Sequence, residues 1–212
     1  EPFAVAYGLE ALLHALVIDI GAGTADFCVM QGRYPSEEDQ KTLPNAGDSI
    51  DDHLVKLVRE KFPDAQFSIH MIREWKEKSS FVGEPKARVM VSVPVKGKAT
   101  EIDITNEMRM ACESILPPLC ETMTTLLAKV EPEFQSKVRN NIILAGGSSL
   151  ISGLPEALAQ ALEELGGGRA PVDKDPVFAG SDGSLAIARD ASGSDWDKLS
   201  LCYTDEILGH LP

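Results

Sequence analysis

The chain has 212 residues, 43% of them hydrophobic and 25% charged, an ordinary globular mixture that excludes disorder, collagen-like repeats and low complexity. A chain of this length buries roughly 70% of its unfolded surface, enough for a sizeable core. Twenty Lys and Arg stand against 33 Asp and Glu, so the net charge of −13 repels phosphate backbones and argues against nucleic acid as a partner; backbone amides and a metal ion can still neutralise a nucleotide locally.

In chain order, Glu1 to Leu13 reads as a short helix, with Pro2 in its first turn. Ala15 to Ile20 is a nearly continuous apolar run of strand length, as a strand buried on both faces requires. The longest hydrophobic region, Leu9 to Ile20, is broken by Glu10, His14 and Asp19, so no segment reads as a membrane span. Gly21 to Thr24 interrupts the strand, and Asp26 to Met30 resumes it as the second arm of a hairpin. Gly32 to Glu38 is a polar turn, and Lys41 to Asn45 a candidate third strand.

From Gly47 the pattern turns helical. Ile50, Leu54, Leu57 and Val58 share one face of a helix ending near Phe62-Pro63, and a second helix covers Phe67 to Lys78. Two strand-like runs follow, Arg88 to Val93 and Thr100 to Ile104. Residues 46–104 thus read as a small α/β insertion within a core formed by 1–45 and 105–190. A long helix from Thr105 should break or kink at Pro117-Pro118. Asn141 to Ala145 is the next buried strand. Leu154 to Leu165 is an amphipathic helix stopped by Gly166 to Gly168. Residues 175–189 read as a strand or turn and then an Ala-rich helix, and 191–212 as a loosely held tail.

Chemistry concentrates at two glycine turns. Asp19-Ile-Gly21-Ala22-Gly23-Thr24 runs from one strand toward the next; glycines let backbone approach a ligand closely, and successive amides make a nest for phosphate oxygens. Asp19 at the strand end suits a metal-bound water. Gly146-Gly147-Ser-Ser149 ends a second strand, where a base or ribose can lie against bare backbone. Taken singly, a tight hairpin and an ordinary strand-to-helix turn explain these motifs as well. Cys28, Cys112, Cys120 and Cys202 form no CxxC pair and read as free thiols of a reducing cytoplasm rather than a zinc site. The four histidines have no metal-ligand spacing, and Trp75 reads as a packing anchor.

Taken together and in order, the motifs resemble the second half of the actin-like ATPases. The stretches that carry the likeness are Glu1 to Leu9, Ile18 to Thr24, Phe81-Val-Gly83, Ile142 to Gly147 and Lys174 to Phe178, with the region of Trp196. Within that superfamily they are most similar to the bacterial actins of the magnetosome-filament branch. The resemblance implies a ribonuclease H-like α/β domain with a mixed five-stranded sheet flanked by helices. It implies ATP and Mg²⁺ as cofactors, with Glu1 orienting the attacking water and Asp19 holding the metal shell. Gly21, Ala22, Gly23 and Thr24 would bind the β- and γ-phosphates, and Gly47 and Asp48 would lie near the ribose and phosphates. Arg73, Lys76 and Glu77 would cover the adenosine, and Gly146, Gly147, Leu150 and Ile151 would frame it. From the residues alone, Arg73, Lys76 and Glu77 read equally as a solvated helix face. Ala25 replaces the family's usual threonine, removing a hydroxyl but no backbone donor.

The implied partners are further actin-like subunits, through self-association into filaments, and organelle-attachment proteins, in a cytoplasmic cytoskeleton. No Asp-x-Gly-Thr loop of a first lobe occurs, and the chain opens on Glu1-Pro2-Phe3 without methionine. It therefore reads as the second lobe of a longer subunit, with weak nucleotide affinity alone. Two alternatives stay open: a non-catalytic half-actin that docks on or modulates a full-length filament, and half of a small-molecule kinase.

Overall fold

The computed structural model describes residues 1–197. The expected tail therefore lies mostly outside the described residues, as does Cys202. Its described start, residues 193–197, is helical.

The central sheet follows from β1 (Leu13–Ile20) and its hairpin partner β2 (Ala25–Gln31). β3 (Gln40–Leu43) adds antiparallel to β2, and β6 (Ile142–Ala145) pairs parallel with β1, giving the order β3-β2-β1-β6. The sheet is mixed, as expected, but it has four strands rather than five. Only a one-residue bridge, Val172 to Leu144, occupies the fifth place.

β1 is an unbroken apolar run because both its faces are covered. Leu16, Ile18 and Ile20 face one buried cluster with Phe27, Val29 and the helices that carry Leu54, Met108, Leu119 and Leu158. Ala15 and Val17 face a second cluster with Val5, Ala6, Cys28, Met30 and Ala179. Each fully buried Leu, Ile or Phe contributes about 1.5–3 kcal/mol. The second cluster is closed by α1 (Pro2–Gly8) and α8 (Ala179–Asp190). Gly183 permits their contact, since a Cβ there would stand 1.8 Å from the Ala4 carbonyl oxygen.

α1 stops at Gly8, short of the expected Leu13. The backbone at Glu10 turns left-handed, with φ of 53°, and leads into β1. Between β3 and the second half of the sheet lie α2 (Gly47–Lys61), α3 (Ile69–Ser79) and the hairpin of β4 (Met90–Val95) and β5 (Lys98–Asp103). That hairpin is a separate two-stranded sheet. Its Val91 and Ile102, with Val58 and Ile72, nevertheless join the same buried cluster as Leu16, so residues 46–104 add to the main core.

The long helix expected from Thr105 is split. α4 (Thr105–Glu113) ends before Ser114, and α5 (Leu116–Lys129) begins with both prolines in its first turn, where missing amides cost nothing. A separate α6 (Pro132–Arg139) follows, which hydropathy did not distinguish; extended backbone at Val130 and Pro132 at the next start divide it from α5. α7 (Leu154–Ala161) is also shorter than expected, its last turn tightening to a 3-10 turn at Glu163–Leu165 before left-handed Gly166.

Candidate functional site

The two glycine turns meet. β1 and β6 are parallel and in register, with Asp19 opposite Ala145, so both strands end at the same edge. Gly146 turns the chain away with φ of 79°. A Cβ there would lie 2.4 Å from both Asp19 Oδ1 and the Ile20 carbonyl oxygen, so only glycine allows the strand ends to close up. Beyond it, Ser148 Oγ donates to the Gly21 carbonyl at 2.9 Å, tying one turn to the other.

α2 docks on the same place. The Gly47 amide donates to the Gly21 carbonyl at 3.2 Å, and the Asp48 amide to the Ala22 carbonyl at 2.7 Å. The Gly21 amide closes the hairpin turn on the Thr24 carbonyl at 2.9 Å. Three amides of the expected nucleotide-binding residues, those of Gly21, Gly47 and Asp48, are therefore spent inside the protein. The amides of Ala22, Gly23 and Thr24, at exposed residues, make no backbone bond among the described residues, and they form the available nest. The Thr24 hydroxyl donates to Asp26 at 2.7 Å.

The resulting groove of about 410 Å³ is lined by Gly21, Ala22, Lys76, Glu77, Gly147, Leu150 and Ile151, all singled out from sequence. Ser80, Ser148 and Val177 also line it and were not anticipated. One wall is backbone and polar. The other, Leu150, Ile151 and Val177, is apolar, the composition a flat heterocycle and sugar require. Gly47, Asp48 and Gly146 build the wall behind rather than the lining.

Lys76 does not extend an ammonium into the groove. Its Nζ donates to the Gly47 carbonyl at 2.9 Å and lies 2.8 Å from Asp51 Oδ1, a close ion pair outside hydrogen-bond alignment. Asp51 is 1% exposed. Arg73, unlike Lys76, stands outside the lining, its Nε 3.2 Å from Asp51 and its Nη2 3.3 Å from Asp48. These ion pairs fix α3 against the start of α2, which positions Glu77 and the stem of Lys76.

Asp19 lies on the same strand face as Val17, toward α1, where Glu1 stands. Burial, reinforced by the negative charges of Glu1 and Asp26 and opposed by the terminal ammonium, pushes its carboxyl up to about 6. Glu1, the other expected catalytic group, is thus brought into electrostatic range of Asp19, although neither lines the groove.

No group of three His, Cys, Asp or Glu forms a metal cluster among the described residues. A magnesium ion needs only one or two carboxylates when phosphates and waters complete its shell, and Asp19 fits that requirement. Cys28 and Cys112 are buried free thiols, each pushed up to about 11 by burial and so unreactive. His14 stacks on Phe134 at 4.3 Å, and Trp75 packs against Phe67 at 5.9 Å, both in structural roles.

The fold is that of an actin-like protein. The sequence profile described as MreB/Mbl protein matches residues 4–186, and the chain belongs to that family. It is 37% identical to the actin-like protein MamK of Paramagnetospirillum magneticum over 199 residues, covering 94% of this chain and 57% of that protein. MamK of Magnetospirillum gryphiswaldense is 36% identical, with 94% and 55% covered. Among solved structures, a MamK double helical filament superposes with a TM-score of 0.87 at 37% identity, covering 90% of this chain and 59% of that one. A non-polymerising MamK mutant bound to AMPPNP gives 0.83 at 38% identity, with 89% and 58% covered. The chain therefore spans less than three-fifths of the length of these relatives. No helix among the described residues is long and apolar enough to cross a membrane.

Proposed function

We propose that this chain is the second, nucleotide-facing lobe of an ATP-dependent actin-like filament subunit of the MamK type, whose polymers position organelles such as magnetosomes. One observation carries the reading: the glycine turns after β1 and β6 converge on a single groove, with unspent amides at Ala22, Gly23 and Thr24 at its rim. In this reading those amides take the terminal phosphates, and Gly147 with Leu150 and Ile151 takes the base and ribose. Asp19 holds a magnesium-bound water, and Glu1 shares in orienting it. The magnesium ion, when bound, neutralises the phosphates and polarises the bond to be cleaved.

One lobe clamps a nucleotide from one side only, leaving its phosphates in competition with water, where each hydrogen bond contributes little. The chain alone should therefore bind Mg·AMPPNP with a Kd in the high micromolar range or weaker, on the order of −5 to −6 kcal/mol, and hydrolyse ATP at background rate. Calorimetric titration tests this. Sub-micromolar affinity, or turnover well above background, contradicts the one-lobe reading; absence of binding at millimolar nucleotide contradicts the site.

A further inference from the structure

Serine hydroxyls withdrawn from solvent are mostly engaged in this chain. Ser49, Ser114 and Ser149 each donate to a backbone carbonyl at 2.7 Å, and Ser148 does so at 2.9 Å. Ser79, Ser80 and Ser152 are also half-buried, yet their hydroxyls have no hydrogen bond among the described residues. All three line one cavity of about 260 Å³. A polar group drawn out of water without a partner is costly, so three such hydroxyls facing one space point to a polar ligand.

The fold fixes the walls of this cavity. α3 ends at Ser79, and extended backbone at Ser80 carries the chain on to Phe81. The Ser152 amide donates to the Ser80 carbonyl at 3.3 Å and the Val82 amide to the Ser152 carbonyl at 2.8 Å, which seats the segment beside the chain that follows Ile151. Residues 84–88 form the mouth and are pinned at both ends. The Gly83 amide donates to the Glu113 carboxylate at 3.1 Å, and the Val89 amide to the Thr105 hydroxyl at 2.8 Å. Phe81 and Val89, the large apolar lining residues, are packed into the main core.

Charge here is opposite to that of the whole chain. The net charge is −13, but the cavity is lined by Lys78, Lys86 and Arg88 against Glu84. Lys86 has no acidic partner among the described residues. Lys78 pairs with Glu74, and Arg88 stands 4.0 Å from Asp103; both pairs are exposed, contribute little and give way to a better anion. The carbonyl end of α3 adds about half a negative charge, which leaves the three cations in excess. We infer that this cavity binds the phosphate group of a small phosphate monoester. The three hydroxyls donate to its oxygens, Lys86 and Arg88 neutralise it, and its organic stem lies on Phe81 and Val89. The volume falls below the roughly 300–1,000 Å³ of sites for drug-sized ligands, so the stem is short. The cavity shares only Ser80 with the nucleotide groove, and the inference does not rest on the nucleotide reading.

The test is titration of ¹⁵N-labelled chain with phenyl phosphate, inorganic phosphate and phenol, followed by amide shifts in NMR. Phenyl phosphate should move the amides of Ser79, Ser80, Lys86, Ala87 and Ser152 in one saturable step at millimolar concentration. Inorganic phosphate should move the same amides with several-fold weaker affinity, and phenol should move none. Ser79→Ala/Ser152→Ala should weaken phenyl phosphate about tenfold or more, since two hydrogen bonds to a charged group are lost. Lys86→Ala should weaken it several-fold, and the loss should shrink in high salt. Neither serine hydroxyl holds the fold together, and an unchanged circular dichroism spectrum verifies folding. Ser92→Ala/Ser136→Ala, at exposed serines outside the cavity, should change nothing. Shifts confined to Ala22, Gly23 and Thr24, undiminished affinity in Ser79→Ala/Ser152→Ala, or no saturable shift at the cavity residues would each overturn the site. Equal affinity for phenyl phosphate and inorganic phosphate would overturn the monoester assignment in favour of the free ion.

Discussion

A Cβ placed on Gly146 would lie 2.4 Å from Asp19 Oδ1, closer than any side chain tolerates. The residue expected to hold the metal shell and the turn expected to frame the base are thus packed backbone against carboxylate, and neither can move without the other. Gly147, the next residue, has open space around it. Gly146→Ala should therefore destabilise the fold by about 3 kcal/mol or more, through a strained φ and a clash together. Gly147→Ala should change stability by less than about 1 kcal/mol and still weaken Mg·AMPPNP binding several-fold, because a methyl group would enter the groove. Urea denaturation and calorimetric titration of both variants check the contrast.

Asp19 makes stability depend on pH in an unusual direction. With its carboxyl raised to about 6, the folded chain keeps a proton that the unfolded chain loses near pH 4. Its contribution is most favourable below pH 4, declines as pH rises through 6, and is flat above. Asp19→Asn should leave stability at pH 4 nearly unchanged. At pH 8 it should raise stability by about 1–2 kcal/mol, or about 3–8 °C in Tm. The same variant should lose the magnesium dependence of nucleotide binding. Thermal melts at the two pH values measure the first effect.

Lys76 is predicted to act through structure before it acts on ligand. Lys76→Met leaves Asp51 buried with Arg73 alone and should cost about 2–4 kcal/mol. Adding Asp51→Asn removes the stranded charge and should recover more than half of that loss. A double-mutant cycle by chemical denaturation reads the coupling. Additive effects would show that the pair does not hold α3 to α2.

Much of the fold was legible because its signals were local. The run Ala15 to Ile20 could be continuous only if buried on both faces, and two clusters do cover it. The glycine turns were legible because close backbone approach leaves glycine little competition. The separation of α5 from α6 was not, because only two residues, Val130 and Glu131, divide two stretches of similar pattern. Asp51 was hidden in the acidic run Asp48 to Asp52. Its spacing to Leu54 and Val58, three and seven residues on, places it on the buried face of α2, a signal that charge alone obscured. Ser148 and Val177 were missed because their roles depend on which strands become neighbours. The expected fifth strand reduces to the bridge at Val172, since the segment after Gly168 touches β6 and then departs.

In the proposed function, the exposed amides of the β1–β2 turn face the nucleotide. Titrating ¹⁵N-labelled chain with Mg·AMPPNP and following amide shifts by NMR tests this directly, even at millimolar affinity. The predicted result is that the largest shifts fall on Ala22, Gly23 and Thr24, with a second group at Gly147, Leu150 and Ile151. Shifts that saturate elsewhere while these six stay still would contradict it.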